Sequence, residues 1–308
     1  MSIWVCGEVL IDLLPGKNGG ERIPVVGGGP ANTAKALARL GHDVEFIDGI
    51  SNDNYGKSAR QELLRDGVKL THALASDKPT ALAIVSVDDH GSASYEFKIE
   101  GTATFDFDPS WLPDPYRFKP TLLHIGTLAT VIEPGSLFLY GWARNVAEFA
   151  PIVFDPNVRP AVLPDRDRYV AAVEKWVAIS TVVKVSDDDL AWLYPCHEAI
   201  AVAKRWIEEG VAIVVITRGA AGLAAVNHNE IIEVGGVKVD VIDTVGAGDS
   251  IGAVIVEAMV EYGVLNLHGQ TLKTVLDCAA LAAAITCSRA GAQPPAKSEL
   301  RAALEKRA

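Results

Sequence analysis

The sequence predicts an α/β fold in which helices cover both faces of a mostly parallel sheet. Short apolar segments that read as strands alternate with longer segments that read as helices through most of the chain. Several of the apolar segments end in glycine or polar residues, and folds of this class bind ligands at the carboxyl ends of their strands. We therefore expect one α/β domain over residues 1–308, with its site at that edge of the sheet.

The individual elements follow from apolar runs and from signals at their ends. PANTAKALARLG (30–41) begins with Pro30, which suits a first helical turn, and ends at Gly41, which suits a helix C-terminus. The predicted strands are 3–6, 43–50, 122–126, 151–160, 181–185, 211–217, 221–226 and 230–234, the last two as an antiparallel hairpin. The predicted helices are 30–41, 55–67, 136–149, 167–178, 187–208, 247–262 and 270–289.

Two segments depart from this alternation. Residues 13–26 are rich in glycine, proline and charge, and residues 80–104 read as two strands joined by the turn DDHG (88–91). Neither segment resembles a parallel strand flanked by helices. We expect them to form a small sheet, a lid that projects over one edge of the main sheet.

Composition limits the classes of partner. The 308 residues include 28 basic and 39 acidic ones, which gives a net charge of −11. A protein this acidic repels phosphate backbones and anionic lipid headgroups, so nucleic acid and membrane surfaces are poor candidates. The N-terminal MSIWVCGEVLID has no basic region or cleavage site, and none of the four cysteines forms a C-x-x-C pair. We expect free thiols and a cytoplasmic protein.

The segment DTVGAGDS (243–250) carries the clearest chemistry, because it stands at the start of a predicted long helix. Small residues at 246–248 let backbone N–H groups converge there, and the positive end of the helix dipole favours an anion. Asp249 in the same turn is either a residue that complements the dipole or a base that accepts a hydroxyl proton beside a phosphate. The dipole predicts a lowered pKa for this carboxyl.

The segment VGGGPAN (26–32) has three glycines before a helix. Gly27, Gly28 and Gly29 allow a small polar ligand to approach the backbone closely. The Asn32 amide can both donate and accept, which suits the paired hydroxyls of a sugar. The alternative is a tight turn with Asn32 as a helix cap.

Two more polar residues follow predicted strands. Asp12 stands in GEVLID (7–12), where a carboxylate could accept two neighbouring hydroxyls or be an ordinary loop acid. Arg159 lies with Asn157 in DPNVRP (155–160), which ends a predicted strand, and it could bind a sugar oxygen or a phosphate, or pair with Asp155.

Together these motifs resemble the PfkB, or ribokinase-like, family of carbohydrate kinases, and the resemblance extends from Gly7 to Gly291. Residues 243–249 match the family's D-T-x-G-A-G-D signature throughout, although Val254 stands where the family usually has Ala or Gly. The resemblance implies transfer of the ATP γ-phosphate to a sugar hydroxyl, with Asp249 as the catalytic base. It also implies that Gly246, Ala247, Gly248 and Asp249 form an anion hole.

The same resemblance assigns the two substrates. KVSDDDL (184–190) is similar to the family's K-x-N-x-x-E motif, with Ser186 in place of Asn and Asp189 in place of Glu. A Mg²⁺ contact through water is then expected at Asp189, because its side chain is one methylene shorter. In some family members potassium binds near SRAGAQPP (288–295) and the backbone at Asp243. The implied sugar-binding residues are Asp12, Gly27, Gly28, Asn32, Phe97, Arg159 and Asp249. The implied ATP-binding residues are Lys184, Ser186, Thr217, Arg218, Gly219, Gly222, Gly246 and Gly248.

The resemblance also implies a ribokinase-like fold whose small β lid closes over the site and pairs two chains into a homodimer. Within the family, GEVLID, GGGPAN, YEFKIEGTA and DPNVRP look most like bacterial fructokinases. The enzymatic alternatives are 2-keto-3-deoxygluconate kinase, in which the arginine of DPNVRP would bind the acid, then ribokinase and nucleoside kinases. A sugar sensor without catalysis is a further alternative, as is a vitamin or hydroxymethylpyrimidine kinase, which would lack the lid.

Overall fold

The fold is described from a computed structural model for residues 2–16, 20–87 and 93–307. The predicted DDHG turn at 88–91 lies outside the described residues. The strands are β1 (Ile3–Cys6), β2 (Leu10–Leu14), β3 (Ile23–Gly27), β4 (Val44–Ile47), β5 (Gly49–Ser51), β6 (Leu74–Ser76), β7 (Leu82–Val87), β8 (Ala93–Lys98), β9 (Leu122–Gly126), β10 (Ile152–Asp155), β11 (Val182–Ser186), β12 (Ile213–Thr217), β13 (Leu223–Asn227) and β14 (Ile231–Val234). The helices are α1 (Gly29–Arg39), α2 (Asn54–Arg65), α3 (Pro115–Phe118), α4 (Gly135–Ala147), α5 (Arg166–Val177), α6 (Asp187–Leu193), α7 (Ala199–Glu208), α8 (Ala247–Tyr262), α9 (Gly269–Cys287) and α10 (Lys297–Glu305).

Eight strands form the main sheet in the order β14-β13-β12-β11-β10-β9-β1-β4. The pairs from β12 to β4 are parallel, whereas β13 is antiparallel to both β12 and β14. The predicted hairpin of β13 and β14 therefore closes one edge of the sheet. The predicted mostly parallel sheet is confirmed.

Helices cover both faces of this sheet, and the apolar side chains of each strand divide between them. On β10, Val153 belongs to the core under α1, α8 and α9, whereas Phe154 belongs to the core under α4 to α7. Because side chains alternate along a strand, a strand buried on both faces has to be apolar throughout. Within the described residues, no helix is both long and apolar enough to cross a bilayer.

The small sheet has the order β3-β2-β7-β8. β2 is antiparallel to β3 and parallel to β7, and β7 is antiparallel to β8. Its strands come from the two segments that the sequence set apart, 13–26 and 80–104, with β2 beginning earlier, at Leu10. β5 and β6 form a separate parallel pair.

Two predicted elements are divided in the structure. The strand expected at 43–50 ends at Ile47, because the buried Asp48 accepts hydrogen bonds from the N–H groups of Val9 (2.9 Å) and Gly49 (2.7 Å). The helix expected at 187–208 is broken by Pro195, whose ring disfavours helical backbone at the preceding residue. Helices α3 and α10 were not predicted.

Candidate active site

A cavity of about 470 Å³ opens at the carboxyl ends of β1, β9 and β10, and residues of the small sheet complete its wall. We call it the polar cavity. The backbone is left-handed at Thr127 (φ 57°), after β9, and at Asn157 (φ 37°), after β10. Such conformations are uncommon outside glycine and concentrate at functional sites. The polar or charged side chains that line the cavity belong to Glu8, Asp12, Asn32, Asn157, Arg159, Lys184, Thr244 and Asp249.

Asp249 lies in the first turn of α8 and is buried, with 7% of its surface exposed. The Asn32 side-chain amide, from the first half of α1, donates a hydrogen bond of 2.9 Å to Asp249 Oδ2. The two glycine-rich segments of the sequence therefore meet at one carboxylate.

Burial determines the acidity of this carboxylate. Desolvation, with a smaller effect of the nearby Asp155, raises the pKa of Asp249 to about 6, although Lys184, the Asn32 hydrogen bond and Arg159 act in the opposite direction. The sequence-based expectation of a lowered pKa is therefore wrong, because the helix dipole does not compensate for loss of water around the charge. A carboxylate with a raised pKa is a stronger proton acceptor.

The start of α1 can lie against Asp249 only because residue 29 has no side chain. A Cβ at Gly29 would stand 3.3 Å from Asp249 Oδ1, 3.1 Å from Asn157 Nδ2 and 2.9 Å from Thr127 Cγ2. These distances are shorter than ordinary contacts between such atoms. Because Gly29 has no side chain, Thr127 after β9, Asn157 after β10 and Asp249 at the start of α8 can all lie close to the start of α1.

Asp12 enters the polar cavity from β2 of the small sheet, opposite Val25 on β3. A Cβ at Gly27 would collide with Asp12 Oδ2, so the glycine makes room for this carboxylate. Burial raises the pKa of Asp12 to about 6, against the lowering effect of Arg159. Gly28 and Phe97 also line the cavity, whereas Gly27 does not.

Arg159 follows β10 and donates through Nη1 to Asn157 Oδ1 at 2.7 Å. It does not pair with Asp155, the alternative that the sequence left open. Asp155 Oδ2 instead accepts from Lys184 Nζ at 2.8 Å, and both of these side chains are buried. Within the described residues, no carboxylate lies within ion-pair distance of Arg159, so its guanidinium has capacity to bind a ligand in the cavity.

Lys184 brings a cation to the start of α8. A Cβ at Gly248 would stand 3.0 Å from Lys184 Nζ, so the ammonium group lies against the first helical turn. Burial lowers the pKa of this lysine, but the charge and hydrogen bond of Asp155 outweigh burial, and the net shift is upward. The lysine is therefore charged wherever the protein is folded near neutral pH.

A second cavity of about 620 Å³ lies on the other side of this turn, between α8, α9 and the segment 236–244. We call it the apolar cavity. Its lining residues include Thr217, Gly219, Gly222 and Gly248, which the sequence predicted for a nucleotide site, and Ala247, which it predicted for the anion hole. Thr244 and Gly248 line both cavities, so the two spaces meet at the start of α8.

That meeting point is suited to an anion. Gly246 is left-handed (φ 80°) and immediately precedes the helix. The first N–H groups of a helix have no acceptor within it, and the dipole adds positive potential. With Lys184 beside this turn, the arrangement can stabilise negative charge between the two cavities.

Two predicted nucleotide residues, Arg218 and Ser186, and the predicted metal residue Asp189 lie outside both cavity walls. Arg218 forms an ion pair of 2.7 Å with Glu233. Ser186 caps α6 and accepts from the Asp189 N–H at 3.0 Å. Asp189 accepts from the N–H groups of Val158 at 3.0 Å and Ser186 at 3.3 Å, so in the structure it joins α6 to the loop that carries Arg159.

Comparison with known proteins agrees with this geometry. The chain matches the model of the pfkB family of carbohydrate kinases over residues 3–299. It belongs to this family. The sequence-based recognition is confirmed, and the chain is a carbohydrate kinase.

Among the relatives of this pfkB kinase, a fructokinase of Rhizobium leguminosarum bv. trifolii is 34% identical over 260 residues, which cover 83% of this chain and 79% of the relative. A fructokinase of Salmonella typhimurium is 27% identical, with 91% and 92% covered.

Solved structures share the fold. A fructokinase from Vibrio cholerae O395, with fructose, ADP and calcium bound, has a TM-score of 0.87 and 27% identity over 98% of each chain. An ATP-bound fructokinase from Xylella fastidiosa has a TM-score of 0.91 over 99% of this chain and 98% of that chain. At 23% identity, the second comparison shows the fold alone.

The sequence did not identify several lining residues of this pfkB kinase. Glu8 lines the polar cavity and accepts a hydrogen bond from the Ala129 N–H at 3.3 Å. Burial raises the pKa of Glu8 to about 7. Its position in the sequence could have indicated this place, because Glu8 follows Gly7, the glycine that ends the apolar segment of β1.

Proposed function

We propose that this carbohydrate kinase is a fructokinase, which transfers the γ-phosphoryl group of ATP to the 6-hydroxyl of D-fructose. The observation that carries the proposal is the position of Asp249, a buried carboxylate where a polar cavity and an apolar cavity meet. The 34% identical relative is a fructokinase, and the Vibrio cholerae fructokinase binds fructose and ADP.

In this proposal the sugar binds in the polar cavity. Asp12 and Asn32 hydrogen-bond its hydroxyls, Arg159 donates to a sugar oxygen, and the Gly28 backbone and Phe97 bound the space. Carboxylate and amide groups can each serve two neighbouring hydroxyls, which is the pattern a sugar offers.

The charges in the cavity favour a neutral sugar over a sugar acid. Among the described lining residues, Glu8, Asp12 and Asp249 are three carboxyls against the guanidinium of Arg159, because Lys184, the other cation in the wall, is paired with Asp155. A substrate carboxylate would have to enter a desolvated space that already holds these acids, which costs free energy unless each is protonated. Fructose therefore fits better than 2-keto-3-deoxygluconate, although both belong to the test below.

Asp249 accepts the proton of the sugar hydroxyl as that oxygen attacks the γ-phosphorus. The bond from that phosphorus to the bridging oxygen breaks, ADP leaves, and the carboxyl returns its proton to solvent. The N–H groups at Gly246 and Gly248, with Lys184 beside them, stabilise the charge on the transferred group, whereas the Ala247 N–H can contribute only by giving up its 3.3 Å bond to the Thr244 carbonyl. The base and the anion site share one helical turn, so substrate alignment and charge stabilisation are coupled.

ATP occupies the apolar cavity, with its phosphates toward Thr244 and Gly248 and with Thr217, Gly219 and Gly222 along its path. A divalent metal, Mg²⁺ in this proposal, neutralises the triphosphate charge when it is bound. No cluster of three or more acidic, histidine or cysteine side chains suited to a metal occurs among the described residues. This agrees with an ion held chiefly by phosphate oxygens and water, with Asp189 contacting it through water.

Potassium is the further ion in the proposal. Asp243 accepts from the N–H groups of Val245 at 3.0 Å and Gly291 at 2.9 Å, so it ties together the two loops at which the ion would bind. For the divalent metal, removal with a chelator should abolish turnover, and added Mg²⁺ should restore it. Replacing K⁺ by Na⁺ should lower turnover, and equal rates in both salts would remove potassium from the proposal.

The proposal extends to a cytoplasmic homodimer that pairs through the small sheet, which closes as a lid. Ile23, at the start of the edge strand β3, is 46% exposed and would be covered by the second chain. Ile23→Glu should then give monomers in sedimentation. An unchanged mass, or a monomeric parent protein, would contradict pairing through this sheet.

The test of function is sugar-dependent ADP release with MgATP, measured with fructose, 2-keto-3-deoxygluconate, ribose, adenosine and no sugar. Turnover should be greatest on fructose, and phosphorus NMR of the product should show an ester at the 6-position. A preference for another acceptor would leave a kinase but contradict a fructokinase. ADP release that no sugar stimulates would favour a binding protein without catalysis.

A further inference from the structure

The composition of the apolar cavity limits how a nucleotide base could be recognised. Away from the start of α8, its wall is formed by Leu223, Ile251, Val239, Ala280, Ala283 and Ala284. Leu223, Ile251, Ala280 and Ala284 are buried side chains of the core. This part of the cavity can cover the faces of a flat ring, but these side chains carry no hydrogen-bonding group.

The polar side chains of the cavity stand elsewhere. Thr244 lines the junction with the polar cavity, Thr217 ends β12, and Lys238 is exposed at the rim. Cys287 adds a thiol, which is a weak donor. Of the described residues that line this cavity, none is Asp, Glu, Asn, Gln or His. No amide or carboxylate side chain is therefore present to read the edge of a purine.

The backbone near the rim does not replace such a side chain. Residues 236–241 lie outside the described strands and helices. An irregular segment offers both N–H donors and C=O acceptors, so it can pair with a 6-amino group or with a 6-oxo group. Adenine, guanine and hypoxanthine present the same aromatic faces to Ile251 and the α9 alanines.

We propose that the donor site accepts purine nucleoside triphosphates with little regard to the substituents at C2 and C6, so that GTP and ITP replace ATP. This inference rests on the proposed function for the place of the nucleotide. The reaction is otherwise the same: the γ-phosphorus bonds to the sugar oxygen, its bond to the bridging oxygen breaks, Asp249 takes the hydroxyl proton, and GDP or IDP leaves.

The size of the expected preference follows from the kind of pocket. An apolar pocket without a hydrogen-bonding side chain at the base distinguishes similar ligands by about 10–200-fold in kcat/KM. A site with buried polar groups that hydrogen-bond the correct ligand distinguishes them by about 10⁴–10⁵-fold. We expect kcat/KM for ATP to exceed that for GTP and for ITP by less than about 200-fold. A larger ratio would overturn the proposal.

Binding provides a readout that does not depend on turnover. Calorimetry of ADP, GDP and IDP should give Kd values within the same range of about 200-fold. If fructose were not phosphorylated with any donor, the function would fail, while these Kd values would still decide the base preference.

A variant tests whether the base lies in this part of the cavity. Ala283→Phe would fill the space beside α9 and should weaken ADP, GDP and IDP by a similar factor, while calorimetry shows fructose binding unchanged. Thermal unfolding checks that the variant is folded. Unchanged nucleotide binding by a folded Ala283→Phe protein would overturn the proposal, as would weakening of ADP alone.

Discussion

Asn32 on α1 donates a hydrogen bond of 2.9 Å to Asp249 on α8, across 217 positions of the chain. Both side chains are buried, and the two helices pack against each other over the same face of the sheet. The bond fixes the orientation of the carboxylate and stabilises its ionised form. The segment that would bind the sugar and the segment that would bind the phosphate therefore act on one group.

Removal of this hydrogen bond should leave less of the proposed base ionised at neutral pH and its carboxylate less well oriented. Asn32→Leu leaves Asp249 buried without its amide partner, so the pKa of Asp249 should rise and kcat/KM at neutral pH should fall by about 10–100-fold. The exposed Asn52, which donates to Asp77 at 2.8 Å, provides the matched control. Asn52→Leu should retain full activity. A pH–rate profile that Asn32→Leu leaves unmoved would contradict the role of this bond.

The activity of the parent protein should depend on pH in a defined direction. Asp249, with a pKa of about 6, must be ionised to accept a proton, so kcat/KM should fall as pH drops through about 6. Asp12 has a pKa of about 6 in the same cavity, so a second protonation should steepen this fall. The measurement is kcat/KM for fructose between pH 4.5 and 9. A profile that stays flat down to pH 5 would contradict the burial-based pKa of Asp249.

Glu8 should make the protein less stable at high pH. Burial raises the pKa of Glu8 from 4.5 to about 7, so between these values the folded state binds more protons than the unfolded state. Its contribution to stability is therefore complete at low pH and is lost as pH rises through about 7. Glu8→Gln keeps an acceptor for the Ala129 N–H but cannot ionise.

The stability difference between Glu8→Gln and the parent should thus increase with pH and level off above about pH 7, at no more than about 3 kcal/mol. Thermal unfolding at pH 5 and pH 8 measures it. The exposed Glu208 on α7 is the control, because Glu208→Gln should change neither value. An equal effect of Glu8→Gln at both pH values would contradict a buried, protonatable Glu8.

Replacement by alanine should lower activity at one helical glycine, Gly29, and should raise stability without affecting activity at another, Gly141. Gly29→Ala puts a methyl group 3.3 Å from Asp249 Oδ1, which should displace the carboxylate and lower kcat/KM by about 100-fold. Gly141 is exposed in α4 with nothing near its Cβ position, so Gly141→Ala should stabilise the protein by about 0.5–1 kcal/mol and leave activity unchanged. Full activity in Gly29→Ala would show that the close approach at residue 29 is unimportant.

The sequence predicted the parts of the site that lie within continuous segments. Gly246 and Asp249 are close neighbours in the sequence, as are Gly28 and Asn32, and all four line the polar cavity, so spacing alone was informative. The raised pKa of Asp249 was missed, because it comes from burial under residues distant in the chain. The Asp155–Lys184 pair was missed for the same reason, since it joins two adjacent strands.

For the fold, apolar runs correctly predicted the main sheet and its closing hairpin. The errors occurred where a local feature interrupted a run: Asp48 ends β4, and Pro195 separates α6 from α7. The proline was visible in the sequence, whereas the role of Asp48 depends on Val9, which is 39 residues away.

The most direct test of the central claim is kcat for fructose phosphorylation by Asp249→Asn, together with calorimetric measurement of fructose binding. Loss of the base should lower kcat by about 10³-fold. Fructose should still bind, because the amide of similar size preserves a hydrogen-bonding group beside Asn32. A variant that binds fructose and keeps kcat within about tenfold of the parent would contradict Asp249 as the base, since a general base contributes at least about 10²-fold.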